Sequence, residues 1–204
     1  MGVSRSAIEP GFLLTPRELT QLSGPPVAVP DGDRLIHLQF RRFAGCPVCN
    51  LHLRSVVRRH AEIEAAGVRE VVVFHSHAEE LAEHTADLPF AVIPDPRKRL
   101  YAEFGVKSAA RSLLSPRAWG PIVRALAVSM WGLLRGQGRA PAAVPHGGRL
   151  GLPADFLIGR DGRVLAVKHG EHVYDQWSVD ELLDLVSRAP DPTPATGDRR
   201  SDAG

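Results

Sequence analysis

Two cysteines, Cys46 and Cys49, are the only ones in this chain of 204 residues, and only Pro47 and Val48 separate them. A Cys-x-x-Cys pair can cycle between a dithiol and a disulfide, or can bind a metal ion. The strand-like run over residues 34–40 predicts a strand directly before the pair, and the residues after it predict a helix. The free N–H groups and partial positive charge of a helix N-terminus favour the thiolate, which is the nucleophilic form.

The helix predicted over residues 47–66 assigns different roles to the two thiols. Its apolar residues recur at three- and four-residue spacing, and Cys49 lies on that stripe while Cys46 lies at the helix start. We therefore expect a buried Cys49 and a more exposed Cys46. Cys46 would attack an electrophilic sulfur or a peroxide oxygen, and Cys49 would resolve the product to a disulfide. Pro47 has backbone geometry suited to the first helical turn.

Arg41 and Arg42 end the strand before the pair and are candidates for supporting the thiolate. A guanidinium beside a thiol lowers the pKa of that thiol. Because side chains alternate along a strand, only one of the two arginines can face the site. The sequence leaves open which one does, and the alternative for each is a solvated arginine at a strand end.

Zinc binding is the main alternative use of the two thiols. His52 on the helix, together with His75 or His77, would have to complete a ligand set, and this spacing fits none of the usual zinc modules. The redox interpretation is therefore favoured. His75, His77, His169 and His172 follow predicted strands and could donate protons near neutral pH. Exposed loop histidines are the simpler interpretation of all four.

The composition is that of a globular protein with no strong electrostatic preference. The chain is 44% hydrophobic and 24% charged, with a net charge of +2. Neither a nucleic-acid partner nor a membrane span is predicted, because the charge is small and no apolar run reaches about 18 residues. Two neighbouring cysteines cannot form a disulfide framework, which suits a reducing compartment such as the cytoplasm.

Apolar runs, turn signals and helical periodicity predict one α/β domain. Strands are expected over residues 34–40, 71–74, 90–93, 154–158 and 164–167, with helices over 47–66, 77–85, 97–104 and 178–188. Asp161-Gly162 between two apolar runs predicts an antiparallel hairpin. Parallel strands with crossover helices, followed by a hairpin and a last helix, are the topology of a thioredoxin-like three-layer α/β/α fold with a mixed sheet.

Three segments fall outside this core pattern. Residues 1–26 form an N-terminal extension in which Thr15 and Pro16 could begin a short helix, leaving 27–188 as the thioredoxin-like domain. Residues 107–150 form a basic insert without acidic residues, helical over 117–135, that could pack on the sheet or dock a partner or lipid surface. Residues 189–204 have the composition of a disordered tail.

The active-site segment Arg41-Arg42-Phe43-Ala44-Gly45-Cys46-Pro47-Val48-Cys49 resembles that of the peroxiredoxin-like family, also called AhpC/TSA-like, which includes selenoprotein U-type proteins. A second resemblance covers residues 151–158, where the family has a proline, here Pro153, that is usually cis and packs against the redox pair. The resemblance spans roughly residues 30–106 and 150–188. It implies a thioredoxin fold, with Cys46 and Cys49 catalytic and Gly45 part of the motif.

The resemblance implies a thiol-dependent oxidoreductase with antioxidant activity, reducing a peroxide or an oxidised lipid. Typical peroxiredoxins have Thr or Ser three residues before the peroxidatic cysteine, where this chain has Phe43. Typical thioredoxins have a buried Asp six residues before the first cysteine, where it has Phe40. A protein disulfide reductase or electron carrier of thioredoxin type, and a non-catalytic interaction module, therefore remain open. No cofactor is expected, because no nucleotide-binding fingerprint is present and a thioredoxin- or glutathione-type thiol would donate electrons.

Overall fold

The computed structural model describes residues 8–43, 45–106 and 151–189, and four isolated helical positions at 120, 123, 127 and 131. The strands in these residues are β1 (Arg17–Leu19), β2 (Val27–Val29), β3 (Leu35–Phe40), β4 (Val68–Phe74), β5 (Ala91–Pro94), β6 (Ala154–Ile158) and β7 (Val164–His169). The helices are α1 (Pro47–Arg58), α2 (His60–Ala65), α3 (Ala78–Thr85), α4 (Arg99–Glu103) and α5 (Val179–Ser187).

Five of the strands form one mixed sheet with β3 at its centre. The order is β5-β4-β3-β6-β7, in which β3, β4 and β5 run parallel and β6 and β7 are antiparallel to their neighbours. Each of these strands overlaps the apolar run that predicts it. The βαβ order and the hairpin confirm the predicted mixed-sheet topology.

The two faces of the sheet carry different layers. Ile36, Leu38 and Phe40 of β3 face a cluster that includes Tyr101 and Phe104 from α4 and its C-terminal end. The alternate residues face the other side, where Val56 of α1, Ile63 of α2 and Leu182 of α5 pack around Leu35 and Leu157. This is the predicted three-layer α/β/α arrangement, and it buries both faces of the mixed sheet.

The first long helix is interrupted, although its periodicity predicts one helix over 47–66. Arg59 leaves helical geometry at φ −113° and ψ 17°, and its N–H bonds to the carbonyl of Val56 at 3.1 Å. Its guanidinium instead pairs with Glu62 at 2.7 Å and with Asp180 at 2.6 Å. The helix therefore ends at Arg58, and α2 begins at His60.

The N-terminal segment is extended where Thr15 and Pro16 suggested a short helix. β1 pairs antiparallel with β2 in a separate two-stranded sheet. One face of this sheet is buried through Leu19, Val27 and Val29, and this burial favours strands over a helix here. Ile8 and Leu14 pack into the same core as Ile36 and Leu38. Residues 8–26 thus contribute to the packed core.

The C-terminal hairpin and last helix follow their local signals. Gly162 has φ +88° in the turn between β6 and β7, a conformation that glycine adopts without strain. The predicted capping box is present, because Glu181 N–H bonds to the Ser178 hydroxyl at 3.2 Å and Glu181 accepts from Ser178 N–H at 2.7 Å.

Most of the basic insert, and the tail from residue 190, lie outside the described residues. Four positions of the predicted helix 117–135 are described, and all are helical. Val123, which the periodicity places on the apolar side, is 61% exposed. Within the described parts of the chain, none of the helices has the length and hydropathy needed to cross a membrane.

Candidate redox site

Cys46 and Cys49 lie at the N-terminal end of α1, where the chain turns from β3 into the helix. Cys46 is the N-cap residue with an extended backbone, and its carbonyl accepts the N–H of Asn50 at 2.9 Å. Pro47 begins the helix. Cys46 and Cys49 are each only 1% exposed, so the expectation of a more exposed Cys46 is wrong.

A small apolar cluster covers both sulfurs. Phe43 precedes the pair, and Val173 comes from the loop that follows β7; both are buried against the two cysteines. Leu51 and Tyr174 pack on the outside of this cluster. The exposure of Cys46 was misjudged because this covering loop is more than 120 residues away in the sequence.

Arg42 is the arginine that faces the thiols. Its Nη1 lies 3.8 Å from Sγ of Cys46, and its guanidinium carbon lies 5.4 Å from the centre of the Phe43 ring. Arg41 points to the other face of the sheet, where it pairs with Asp155, as the alternation of side chains along a strand leads one to expect. A positive charge in contact with a buried sulfur stabilises the thiolate over the thiol.

Cys49 is held in the protonated form. A hydrogen bond with the sulfur of Cys46, together with burial, raises the pKa of the Cys49 thiol well above its ordinary value. The charge of Arg42 acts in the opposite direction and does not outweigh these effects. The Cys49 thiol therefore donates a hydrogen bond to the sulfur of Cys46. This arrangement is expected when Cys46 is the nucleophile and Cys49 the resolving thiol.

Two features of the turn before Cys46 favour glycine at position 45. Its φ is +72°, in the region that favours glycine, and a side chain there would lie 3.0 Å from the His84 ring. The glycine of the motif is therefore required both by the backbone and by the approach of α3.

Pro153 does not have the cis geometry expected from the resemblance. Val29–Pro30 is the cis peptide bond in the described residues. Pro153 packs on Gly170, and its carbonyl accepts the Gly170 N–H at 2.9 Å. The residue thus continues the β6–β7 ladder in an extended trans form.

A buried polar network, formed by His37, Gln39, Arg41, His52, Glu70 and Asp155, lies beneath α1 on the sheet face opposite Arg42. Arg41 Nη1 donates to Asp155 at 2.9 Å, and its Nη2 donates to Gln39. His37 Nδ1 lies 2.9 Å from Glu70, and its Nε2 lies 3.6 Å from Asp155. Each buried charge therefore has an opposite charge beside it, as burial demands.

The protonation states in the network follow from these contacts. Burial alone would lower the pKa of His37, but Glu70 and Asp155 raise it to about 9. Burial alone would raise the pKa of Asp155, but Arg41 and His37 hold it well below its usual range. Burial and Arg41 lower the pKa of His52 to about 4. At neutral pH two cations therefore balance two anions, and His52 is neutral.

The network also holds the loop that covers the cysteines. Trp177 N–H donates to Asp155 at 2.8 Å, and the Trp177 carbonyl accepts from His52 Nε2 at 2.8 Å. Because Arg41 Nη2 points at His52 Nδ1 at 3.4 Å, that nitrogen is the acceptor and Nε2 carries the proton. The alternation of His37, Gln39 and Arg41 within an apolar strand was the sequence signal for this network.

His75 is buried at 1% exposure, so its interpretation as an exposed loop residue is wrong. Its backbone N–H donates to the Arg42 carbonyl at 3.2 Å, which places it beside the redox loop. Neither ring nitrogen has a hydrogen-bond partner among the residues that the structure describes. His77 and His169 are exposed and His172 is half-buried. Within the described residues no group of three or more His, Cys, Asp or Glu side chains is placed to hold a metal ion.

Comparison with known proteins assigns the family. The model of the AhpC/TSA antioxidant enzyme family matches residues 55–172, more than half of the chain. The chain belongs to the AhpC/TSA family. It is therefore a thiol-dependent oxidoreductase of the peroxiredoxin-like type. The match begins after Cys49, so it rests on the thioredoxin-like domain and does not include the cysteine pair. A search of curated proteins finds no match.

Solved structures share the fold of this AhpC/TSA chain at low sequence identity. Peroxidoxin BcpB from Mycobacterium tuberculosis matches at 17% identity and TM-score 0.62, covering 90% of this chain and 99% of that one. A cysteine-to-serine mutant of peroxiredoxin 6 from Arenicola marina matches at 16% and 0.63, covering 89% and 73%. A putative thiol:disulfide interchange protein DsbE from Chlorobium tepidum matches at 18% and 0.56, covering 88% and 99%.

Proposed function

We propose that this protein reduces hydroperoxides, with Cys46 as the nucleophile and Cys49 as the resolving thiol. The observation that carries the proposal is the enclosed contact between Arg42 Nη1 and Cys46 Sγ, at 3.8 Å, in a site where both thiols are 1% exposed. An enclosed charge pair of this kind stabilises a thiolate, and the cover over the sulfurs suits a small substrate.

The reaction proceeds in two steps that balance. The Cys46 thiolate donates an electron pair to one peroxide oxygen, the O–O bond breaks, and the other oxygen leaves as hydroxide or alkoxide and takes a proton from solvent. Cys46 is then a sulfenic acid. The Cys49 thiolate attacks that sulfur and displaces hydroxide, which leaves as water with the Cys49 proton. Two thiols and one peroxide yield one disulfide, one alcohol or water, and one water.

The high pKa of Cys49 suits its part in this sequence. Its proton is held by the hydrogen bond with Cys46 and by burial while Cys46 is an anion. Once Cys46 has become a neutral sulfenic acid, the negative charge that opposed ionisation of Cys49 is gone. Resolution therefore follows oxidation, and the order of the two steps is set by charge.

The disulfide is returned to the dithiol by an external thiol of thioredoxin or glutathione type, in the cytoplasm. No bound cofactor is required, because the electrons arrive through thiol–disulfide exchange. The cover of Phe43 and Val173 over the sulfurs has to open for this exchange, because an attacking thiolate must reach one sulfur in line with the other.

Disulfide reduction of thioredoxin type is the second candidate, and one observation favours it. The pair lies at the N-cap and first turn of α1, with Pro47 beginning the helix, which is also the arrangement that exchanges with protein disulfides. The thiol:disulfide interchange neighbour shares the fold. Peroxide is favoured over this substrate because it is much smaller than a protein disulfide and needs less opening of the cover to reach a sulfur that is 1% exposed.

The test is a stopped-flow reaction of the fully reduced protein with hydrogen peroxide, followed by quenched alkylation and intact mass. We expect disulfide formation far faster than oxidation of free cysteine. Cys46→Ser should be inert, and Cys49→Ser should stop at a sulfenic acid that dimedone traps. A wild-type rate no faster than that of free cysteine would refute peroxidase activity, and rapid reaction with oxidised glutathione would then support the disulfide reductase.

A further inference from the structure

His75 is a buried polar group whose ring has no hydrogen-bond partner in the described part of the chain. Both ring nitrogens lack one there, although the residue is only 1% exposed. Leaving such a group unsatisfied destabilises the folded state, so native proteins rarely keep one without a use for it. Its ring packs edge-on against Tyr101, with the ring centres 5.7 Å apart, and this contact fixes the ring without using either nitrogen.

The backbone of His75 lies beside the redox loop, and its ring packs on a residue close to Cys49. Its backbone N–H bonds to the carbonyl of Arg42, the residue whose guanidinium touches Cys46. Tyr101, which holds the ring, lies close enough to Cys49 for that thiol to help raise the pKa of the tyrosine, after burial, well above its ordinary value. His75 is thus linked to both cysteines through one intervening residue each.

Gly151 shows where the ring nitrogen points. A methyl group on Gly151 would lie 3.5 Å from Nε2 of His75 and 3.6 Å from Cγ of Arg42. The absence of a side chain at this position therefore leaves a small space bordered by His75 Nε2 and by the stem of Arg42. The same arginine borders Cys46 at its other end.

We propose that the N–H of the His75 ring donates to a peroxide held between the Arg42 guanidinium and Cys46, and supplies the hydrogen bond that Phe43 cannot. The inference rests on the proposed peroxide reduction. The ring donates a hydrogen bond to the oxygen that leaves when the O–O bond breaks, and so stabilises charge as it develops there. The proton that this oxygen finally takes comes from solvent, and His75 is unchanged at the end.

The charge state of the ring fits this role. Burial and the charge of Lys98, with a smaller effect of Arg42, lower the pKa of His75 to about 4. At neutral pH the imidazole therefore has one N–H donor and one acceptor nitrogen. Since neither nitrogen is engaged by another described residue, the ring can present its donor towards Gly151. A neutral donor also adds no second positive charge beside Arg42.

The experiment measures the second-order rate constant for hydrogen peroxide in wild type, His75→Phe and His75→Gln. His75→Phe keeps the contact with Tyr101 and removes the donor, so the rate should fall roughly tenfold, the worth of one such hydrogen bond. His75→Gln places an amide N–H near the position of Nε2 and should retain most of the rate. The rate of Cys46 alkylation by iodoacetamide, which needs no such donor, should stay within about twofold in both variants.

Gly151→Ala is the second variant, because its methyl group would cover Nε2 at an ordinary contact distance of 3.5 Å. It should slow peroxide reduction and leave alkylation unchanged. Gly32→Ala is the matched control, since a methyl group there meets nothing within 4 Å among the described residues. Thermal unfolding distinguishes this role from a purely structural one. His75→Phe removes an unsatisfied polar group and should not lower the melting temperature, whereas loss of a structurally required residue would lower it.

The outcomes separate this inference from the proposed function. A fast wild type with equally fast His75→Phe would overturn the role of His75 and leave peroxide reduction standing. A wild type no faster than free cysteine would overturn both. Parallel loss of peroxide rate, alkylation rate and thermal stability in His75→Phe and in His75→Gln would make the residue structural, and would also overturn the inference.

Discussion

Arg41 and Asp155 form an ion pair, with Nη1 2.9 Å from Oδ1, in which both side chains are fully buried. Arg41 directly follows β3, and Asp155 lies in β6, the antiparallel neighbour of β3. The pair belongs to the polar network beneath α1, whereas Arg42 lies on the other face of the sheet, so two successive arginines have separate tasks. Arg42 contacts sulfur, and Arg41 neutralises a carboxylate inside the core.

Removing one member of this pair should be strongly destabilising. Asp155→Asn leaves the Arg41 charge buried without a counter-ion, and we expect a loss of about 3–5 kcal/mol in the free energy of unfolding. Urea denaturation followed by far-UV circular dichroism measures it. Asp180→Asn, at a carboxylate whose side chain is 83% exposed, is the control and should change stability little.

A double variant tests whether the cost comes from the unpaired charge. Arg41→Met combined with Asp155→Leu replaces the pair by apolar residues of similar size, and should be less destabilising than the two single changes added together. Additive losses would contradict the pairing.

The raised pKa of His37 should make the protein less stable at alkaline pH. Its pKa is raised from 6.5 to about 9 by Glu70 and Asp155 against the opposing effect of burial. The folded state therefore binds a proton more tightly than the unfolded state, and this contribution is complete below pH 6.5 and lost as the pH rises to about 9. The free energy of unfolding should fall across this window.

His37→Gln removes the titrating group and should flatten that decline, whereas His77→Gln, at an exposed histidine, should leave it unchanged. His52 and His75, whose pKa values are lowered to about 4, titrate on the acid side of the window, and the raised pKa of Cys49 lies above its ordinary value of 9.0. An undiminished decline in His37→Gln would show that another group causes it.

Arg42 should set the reactivity of Cys46. Arg42→Gln removes the positive charge 3.8 Å from Sγ, and the rate of Cys46 alkylation at neutral pH should fall roughly tenfold, the effect of one nearby charge on a thiol. Arg42→Lys should recover part of it. Arg54→Gln removes the same charge from an exposed position on α1 and is the matched control. Equal losses of alkylation rate in Arg42→Gln and Arg54→Gln would show that the overall positive charge of the protein, and not the contact of Arg42 with Cys46, sets the reactivity.

Tyr101 should tie the ends of β3 and β4 together. Its hydroxyl donates to the carbonyl of Arg41 and lies 3.0 Å from that of Val73, so Tyr101→Phe should cost about 1 kcal/mol of unfolding free energy. Tyr174→Phe, at a half-buried ring, serves as the comparison. Thermal unfolding of both variants under identical conditions gives the difference, and equal stabilities would contradict this role.

The elements of this fold could be predicted because their signals are local. Asp161-Gly162 specifies the hairpin, Ser178 and Glu181 specify the start of α5, and each strand of the large sheet overlaps an apolar run. The break at Arg59 could not be predicted, because one of the partners that hold its side chain, Asp180, lies far along the chain.

The cysteine pair could be recognised from the sequence, whereas most of the residues that pack around it could not. That only one of Arg41 and Arg42 faces the thiols follows from strand alternation, which is again local. The burial of Cys46 depends on Val173, and the partners of His37 depend on the register of β3 with β4 and β6. Such register is specified by the whole sheet, so neighbouring residues in the sequence do not reveal it.

That register has a consequence for how the chain chooses one fold. His37 lies opposite Glu70 and Gln39 lies opposite Asp155 across the ladders of β3. A slip of one residue would turn His37, Gln39 and Arg41 towards Phe104 and Phe156, with no carboxylate to receive them. Competing pairings of β3 are thereby made costly, so the central strand has a single acceptable alignment even though much of its sequence is apolar.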